Sequence, residues 1–138
     1  MKMPPIAHAG GSFHGMDYTD SIEALNVSFE KGFKSFEIDL IELADSNIVC
    51  LHDLDRLGLD ERSTITDFSK AAAKLSFTPC DINTLGAWIR SHPGISVITD
   101  TKMASQIDVL RRLADIAGTA QIIPQIYDPG EYEAVKAL

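Results

Sequence analysis

Apolar and polar positions alternate most regularly between Phe36 and Leu40, where Phe36, Ile38 and Leu40 interleave with Glu37 and Asp39. Side chains of a strand point to opposite faces at period two, so this stretch is a strand with one apolar face and two carboxylates on the other. A second extended run, Asn47 to Leu51, keeps Ile48, Cys50 and His52 in phase, and both runs lead to His52. Ahead of them, Pro5 to His8 is a short extended start ended by Gly10 and Gly11, which turn the chain and leave room for a ligand to approach the backbone. Asp20 with Glu23 gives an N-cap and capping-box pattern. Ile22, Leu25 and Phe29 then recur on one helical face until Gly32.

The second half repeats the alternation of helix and strand. Asp53 to Ser63 is charged and irregular. Its Asp53-x-Asp55-x-x-Gly58 start resembles a calcium EF-hand loop, but the twelfth position is Thr64 rather than Glu and no helix pair flanks it, so it reads as a solvated loop. Thr66 and Asp67 start a short alanine-rich helix ending near Leu75. Asp81 caps another that carries Leu85, Trp88 and Ile89 before Pro93 and Gly94 break it, with Trp88 as core. Ile95 to Thr101 is a β-branched strand, Ser105 to Ala117 a helix with Ile107, Leu110 and Leu113 on one face, and Gln121 to Tyr127 a further strand. Asp128-Pro129 opens a last helix.

Strands alternating with covering helices through short loops make a parallel sheet, so the fold class is α/β. Polar residues collect at the ends of successive strands: His8, Glu37 with Asp39, Asp100 with Lys102, and Gln125. A (β/α)8 barrel builds its active site at that end of its strands. Such a barrel takes about 250 residues; four core strands in 138 residues read as the first half of one, a single domain over 1–138.

Composition narrows the chemistry. A formal charge of −8 with positive residues scattered singly or in pairs excludes a nucleic-acid surface. No apolar run approaches a membrane span and the start carries no apolar signal core, which points to a cytoplasmic location or to a piece of something longer. Cys50 and Cys80 read as free thiols, and His14 and His92 as surface residues.

The ordered runs Ile6-Ala-His-Ala-Gly-Gly11, Tyr18-Thr-Asp-Ser-Ile-Glu-Ala-Leu25, Phe36-Glu-Ile-Asp39, Cys50-Leu-His-Asp53 and Thr99-Asp-Thr-Lys102 resemble the motifs of the glycerophosphodiester phosphodiesterase family. The resemblance implies a TIM barrel of the phosphatidylinositol phospholipase C-like kind, a divalent cation, Mg or Ca, and hydrolysis of a small-molecule phosphodiester. By position it makes His8 and His52 the general acid/base pair and Glu37, Asp39 and Asp100 the metal carboxylates. Lys102 then lies beside the substrate phosphate, and Gln125 is a candidate substrate contact. Chemistry asks for the same arrangement. Clustered carboxylates that lose hydration need a cation, and hard oxygen ligands select Mg or Ca. An imidazole with an ordinary pKa of about 6.5 accepts or gives a proton at neutral pH.

Three departures bear on the substrate. The family commonly carries Arg after the first His, where this chain has Ala9. The Pro-Glu-Asn-Thr run is replaced by Tyr18-Thr19-Asp20-Ser21, and the third acid is Asp100 rather than Glu, as in sphingomyelinase D-type enzymes. Two other readings stay open. His8 and His52 are also placed as interior histidines, and Asp100 with Lys102 as a structural ion pair. The chain as a whole also reads as a non-catalytic half-barrel that binds a cation or a partner, its open sheet edges being surfaces for a second copy.

Overall fold

Ile6–Ala7 forms a two-residue strand, β1, in the computed structural model, which describes residues 2–101 and 106–138. Helix α1 (Ile22–Glu30) follows, then the eight-residue strand β2 (Ser35–Glu42) and the short strand β3 (Ile48–Cys50). Helices α2 (Ile65–Lys74) and α3 (Ile82–Ser91) precede β4 (Ser96–Asp100), α4 (Gln106–Ala117), β5 (Ile122–Pro124) and α5 (Tyr132–Lys136). The four expected core strands, β1, β2, β4 and β5, lie parallel and adjacent in that order. β3 stands outside that row. It pairs antiparallel with the last residues of β2, Leu40 to Glu42, after β2 has run past its parallel neighbours.

Phe36, Ile38 and Leu40 of β2 and Val97 of β4 face the helices, where they bury Leu25 of α1, Leu85, Trp88 and Ile89 of α3, and Val109 and Leu113 of α4. A smaller cluster of Leu43, Val49, Leu51 and Phe68 seats α2 on the β2–β3 hairpin. The indole of Trp88 is core, as expected, and its N–H donates to Asn26 at 2.8 Å. His92, expected at the surface, stacks on that indole with ring centroids 4.2 Å apart. Strand register places Glu37 beside Ile98 and Asp39 beside Asp100, all on the sheet face turned away from the helices. That face also carries Ile123, which is half exposed.

Helix starts differ from the sequence expectation in two places. Ser21, not Asp20, caps α1 by accepting from the Ala24 N–H at 3.1 Å. Asp20 is drawn beneath the helix instead, and Glu23 turns away to accept the Thr78 N–H. α2 begins before Thr66, because Thr64 and Asp67 form the reciprocal capping box. The charged stretch after Asp53 holds one short 3-10 turn, Leu54–Leu57, capped by the Asp53 carboxylate.

α3 and α4 approach closely at Gly86, where an added Cβ would stand 2.3 Å from Ile116 Cγ2 and 2.9 Å from its Cβ. Helix propensity favours alanine there by about 1 kcal/mol. Overlap with a branched carbon near the backbone outweighs it, so Gly86→Ala is expected to destabilise by about 1–3 kcal/mol. Thermal unfolding checks this: adding Ile116→Ala should recover part of the loss, and an alanine variant as stable as wild type would refute the packing argument.

Candidate active site

Glu37, Asp39 and Asp100 each offer a carboxylate oxygen within 4.8 Å of the other two, and all three residues are buried. β2 and β4 create the cluster, because parallel register puts Asp39 and Asp100 side by side while period two keeps Glu37 on the same face. Burial raises the Glu37 pKa, with the charges of Asp39 and Asp100 pushing the same way and the Ala9 N–H, which donates to Oε2 at 2.8 Å, opposing them. Oδ2 of Asp39 is buried without a hydrogen-bond partner. Converging hard oxygen donors, one of them unpartnered, form a group that could hold a metal ion. Among the described residues this is the group of acids that could hold one.

The two histidines flank the acids. His8 follows β1 directly and its Nε2 lies 3.6 Å from Glu37 Oε2. His52 follows β3, where the Leu51 N–H donates to the Asp39 carbonyl at 3.1 Å and fixes the chain against the acidic end of β2. One cleft is lined by His52, Asp39, Asp100 and Asp53. Asp53 lies 2.9 Å from His52 Nδ1, and its pKa is lowered, first by that hydrogen bond. An ionised carboxylate only accepts, so His52 Nδ1 is the donor, and Nε2 is left to exchange a proton.

Tyr18 joins the imidazoles. Its ring meets His8 edge-on at 5.0 Å and His52 at 5.1 Å between centroids. The Arg56 guanidinium lies 4.6 Å over the same ring and donates to Asp53 through Nε at 3.2 Å. Sequence reasoning assigned neither Tyr18 nor Arg56 to the site. Arg56 lies in the stretch read as a solvated loop, and no periodicity marks a residue that reaches the site through a single 3-10 turn.

Asp20 was also missed. It is fully buried, its Oδ1 accepts the Asp39 N–H at 2.9 Å, and burial followed by the charge of Asp39 lifts its pKa well above the ordinary carboxylate value. The segment that brings it there holds Ala9, Tyr18 and Asp20 at φ of 49°, 61° and 48°. Gly10 and Gly11 stand at φ of 74° and 103°, a turn conformation that favours glycine. A Cβ at Gly11 would stand 2.1 Å from Ser28 Oγ, so the room expected for a ligand beside Gly11 is filled by α1. Gln125 reaches the acids indirectly: its amide donates to the Tyr127 hydroxyl at 3.1 Å, and Tyr127 donates to Asp100 at 2.5 Å. Partial burial and then Asp100 push the Tyr127 pKa up to about 12. Lys102 lies outside the described residues.

No protein-family model matches the sequence, and no curated protein matches it. The fold does match solved structures. A glycerophosphodiester phosphodiesterase from Agrobacterium tumefaciens aligns over 98% of this chain with a TM-score of 0.70 at 14% identity. The glycerophosphoryl diester phosphodiesterase domain of a Mycobacterium tuberculosis protein aligns over 95% with a TM-score of 0.71 at 14% identity. A phosphodiesterase from Oleispira antarctica, solved with the product sn-glycerol-3-phosphate, aligns over 96% with a TM-score of 0.66 at 17% identity. The chain spans 63%, 55% and 61% of the lengths of these three. Its fold is therefore that of the glycerophosphodiester phosphodiesterase barrels over part of their length, as the resemblance implied.

The raised Glu37 pKa gives a signed expectation. Below the unfolded carboxylate range Glu37 is neutral in both states. As pH rises through that range the buried charge destabilises the cation-free fold, and the penalty is complete above the folded pKa. Glu37→Gln should therefore match wild type near pH 4. At neutral pH without cation its melting temperature should exceed that of wild type. Millimolar Mg or Ca should raise the melting temperature of wild type and not that of the variant. Equal melting temperatures at neutral pH, or equal cation responses, would contradict the reading of the cluster.

Proposed function

We propose that this chain carries the acid–base and metal-binding part of a phosphodiesterase acting on glycerophosphodiesters. The observation that carries the reading is the convergence of three buried carboxylates with two imidazoles at one end of a parallel sheet. The match to phosphodiesterase structures supports it. Glu37, Asp39 and Asp100 would hold a Mg or Ca ion, which supplies charge stabilisation at a phosphoryl oxygen when bound.

The remaining roles belong to the protein's own groups. His52, held by Asp53 through Nδ1, lines the cleft with Nε2 left to exchange a proton, and His8 Nε2 lies 3.6 Å from Glu37 Oε2. One imidazole takes the proton of the attacking oxygen as a new P–O bond forms. The other, protonated, gives its proton to the alkoxide as the bond from phosphorus to the leaving oxygen breaks, releasing an alcohol and a phosphomonoester. Asp53 orients His52 and stabilises its protonated form. The Arg56 guanidinium, beside Asp53, adds positive charge on the side from which an anionic diester approaches.

A second reading rests on the span of the chain. Because it covers 63% or less of each phosphodiesterase described above, it is also read as a non-catalytic half-barrel that binds a cation. Hydrolysis of glycerophosphocholine, measured with Mg, with Ca and with EDTA, separates the two. Metal-dependent turnover abolished by His52→Ala and Glu37→Ala is the expected result. Asp53→Asn should lower kcat about 10–100-fold with KM little changed. Turnover that survives His52→Ala would overturn the assignment, and cation binding without turnover would establish the second reading.

A further inference from the structure

Beside the acidic cleft lies a second cavity of about 220 Å³ that the proposed chemistry does not use. Its walls are mainly apolar, with Leu57, Phe68, Ala72, Leu75 and Phe77 supplied by the 3-10 turn, α2 and the strap that follows. Two observations tie it to the reacting end of the sheet. Leu51 lines both this cavity and the cleft that contains His52, Asp39 and Asp100. Tyr18 lines the cavity while its ring edges meet both imidazoles. The wall between hydrocarbon space and catalytic groups is therefore one side chain thick. Arg56 also lines the cavity, so a cationic head marks its border with the site.

We propose that this cavity receives the hydrocarbon part of the diester's alcohol, so that the preferred substrates are phosphodiesters whose leaving alcohol carries an alkyl chain or aryl ring. The inference rests on the phosphodiesterase reading and adds the substrate class to it. Size supports it: an apolar cavity of about 150 Å³ accommodates benzene, so this one takes a bicyclic aryl group or a chain of about six carbons. Polarity supports it as well: Asp17, Thr19, Ser21, Arg56 and Thr78 also line the cavity, but most of the lining surface is apolar, so an alkyl or aryl group meets mainly carbon there. The phosphate of such a diester stays at the polar border, where Arg56, His8 and His52 stand around Tyr18.

The test has a binding arm and a catalytic arm. In the first, 1-naphthol, which carries no phosphate, is titrated into the full chain by calorimetry. Wild type should bind it, and Ala72→Phe, which fills the cavity from α2, should weaken binding by at least about tenfold. Ala72 is fully buried, so Leu75→Trp, placed at a half-exposed wall position, provides a second obstruction that leaves the core intact. In the catalytic arm, wild type should hydrolyse the hexyl ester of glycerophosphate with kcat/KM at least about tenfold above the methyl ester. Both variants should bring that ratio close to one while leaving glycerophosphocholine turnover unchanged. Naphthol binding that neither variant weakens, or a hexyl-to-methyl ratio near one in wild type, overturns the proposal. If no diester is hydrolysed, the phosphodiesterase reading fails and the naphthol arm still decides whether the cavity binds hydrocarbon.

Discussion

Three carboxylates brought together at the dry end of a sheet are the constraint to which the rest of this structure answers. Glu37, Asp39 and Asp100 lie within 4.8 Å of one another although mutual repulsion and lost hydration oppose it. They are held by backbone. The ladder between β2 and β4 fixes Asp39 opposite Asp100, and the apolar side chains of the same strands are locked among three helices. Packing energy on one face of β2 thus stabilises an arrangement that electrostatics opposes on the other.

The segment between β1 and α1 bears the local consequences. Left-handed backbone at a tyrosine or an aspartate costs about 1–2 kcal/mol per residue. Here Ala9, Tyr18 and Asp20 all adopt it. Each does so with a result visible at the site. Ala9 turns its N–H onto Glu37, Tyr18 sets its ring between the imidazoles, and Asp20 passes beneath α1 to accept the Asp39 N–H. The close contact of Gly11 with Ser28, whose hydroxyl donates to the Gly10 carbonyl at 2.9 Å, ties the strained segment to the helix. Strain is concentrated where side chains must be aimed, and the helix holds it in place.

What was legible in the sequence and what was not divide along the same line. Alternation exposed β2, and the order of strand and helix signals gave the parallel arrangement, because both follow from local period and short connections. His8, Glu37, Asp39, His52 and Asp100 were legible because each lies in or just beyond a strand whose register the pattern dictates. Asp20 was misread as a helix cap because a serine follows it, and either residue type serves at that position. The choice was made by burial against Asp39, a contact 19 residues away in the chain. Arg56 reaches the site through a 3-10 turn, which leaves no period to read, and Tyr127, read as the end of a strand from Gln121, lies beyond β5, which stops at Pro124. Cys50 and Cys80 are free thiols, as read, and they are also buried neighbours because the Cys50 N–H donates to the Cys80 carbonyl across a 30-residue excursion.

The two ends of the open sheet face differ in kind. One row across the strands holds Ile98 and half-exposed Ile123 in register with Glu37, and the next row toward the strand ends holds Asp39 and Asp100. In a closed (β/α)8 barrel the first kind of position is filled by layers of branched side chains, and the second opens into the active site. The acids and imidazoles come from the ends of β1, β2, β3 and β4. In the reaction proposed above, proton transfer and charge stabilisation would depend on those groups, and choice among substrates on surfaces that surround the alcohol. The cavity beneath α2 is one such surface that this chain does supply, because it is built on the β2–β3 hairpin and not on the open side of the sheet. On the proposed reading, reaction class and preference for the leaving alcohol are carried by different parts of the chain, the first by buried strand ends and the second by an excursion packed against them.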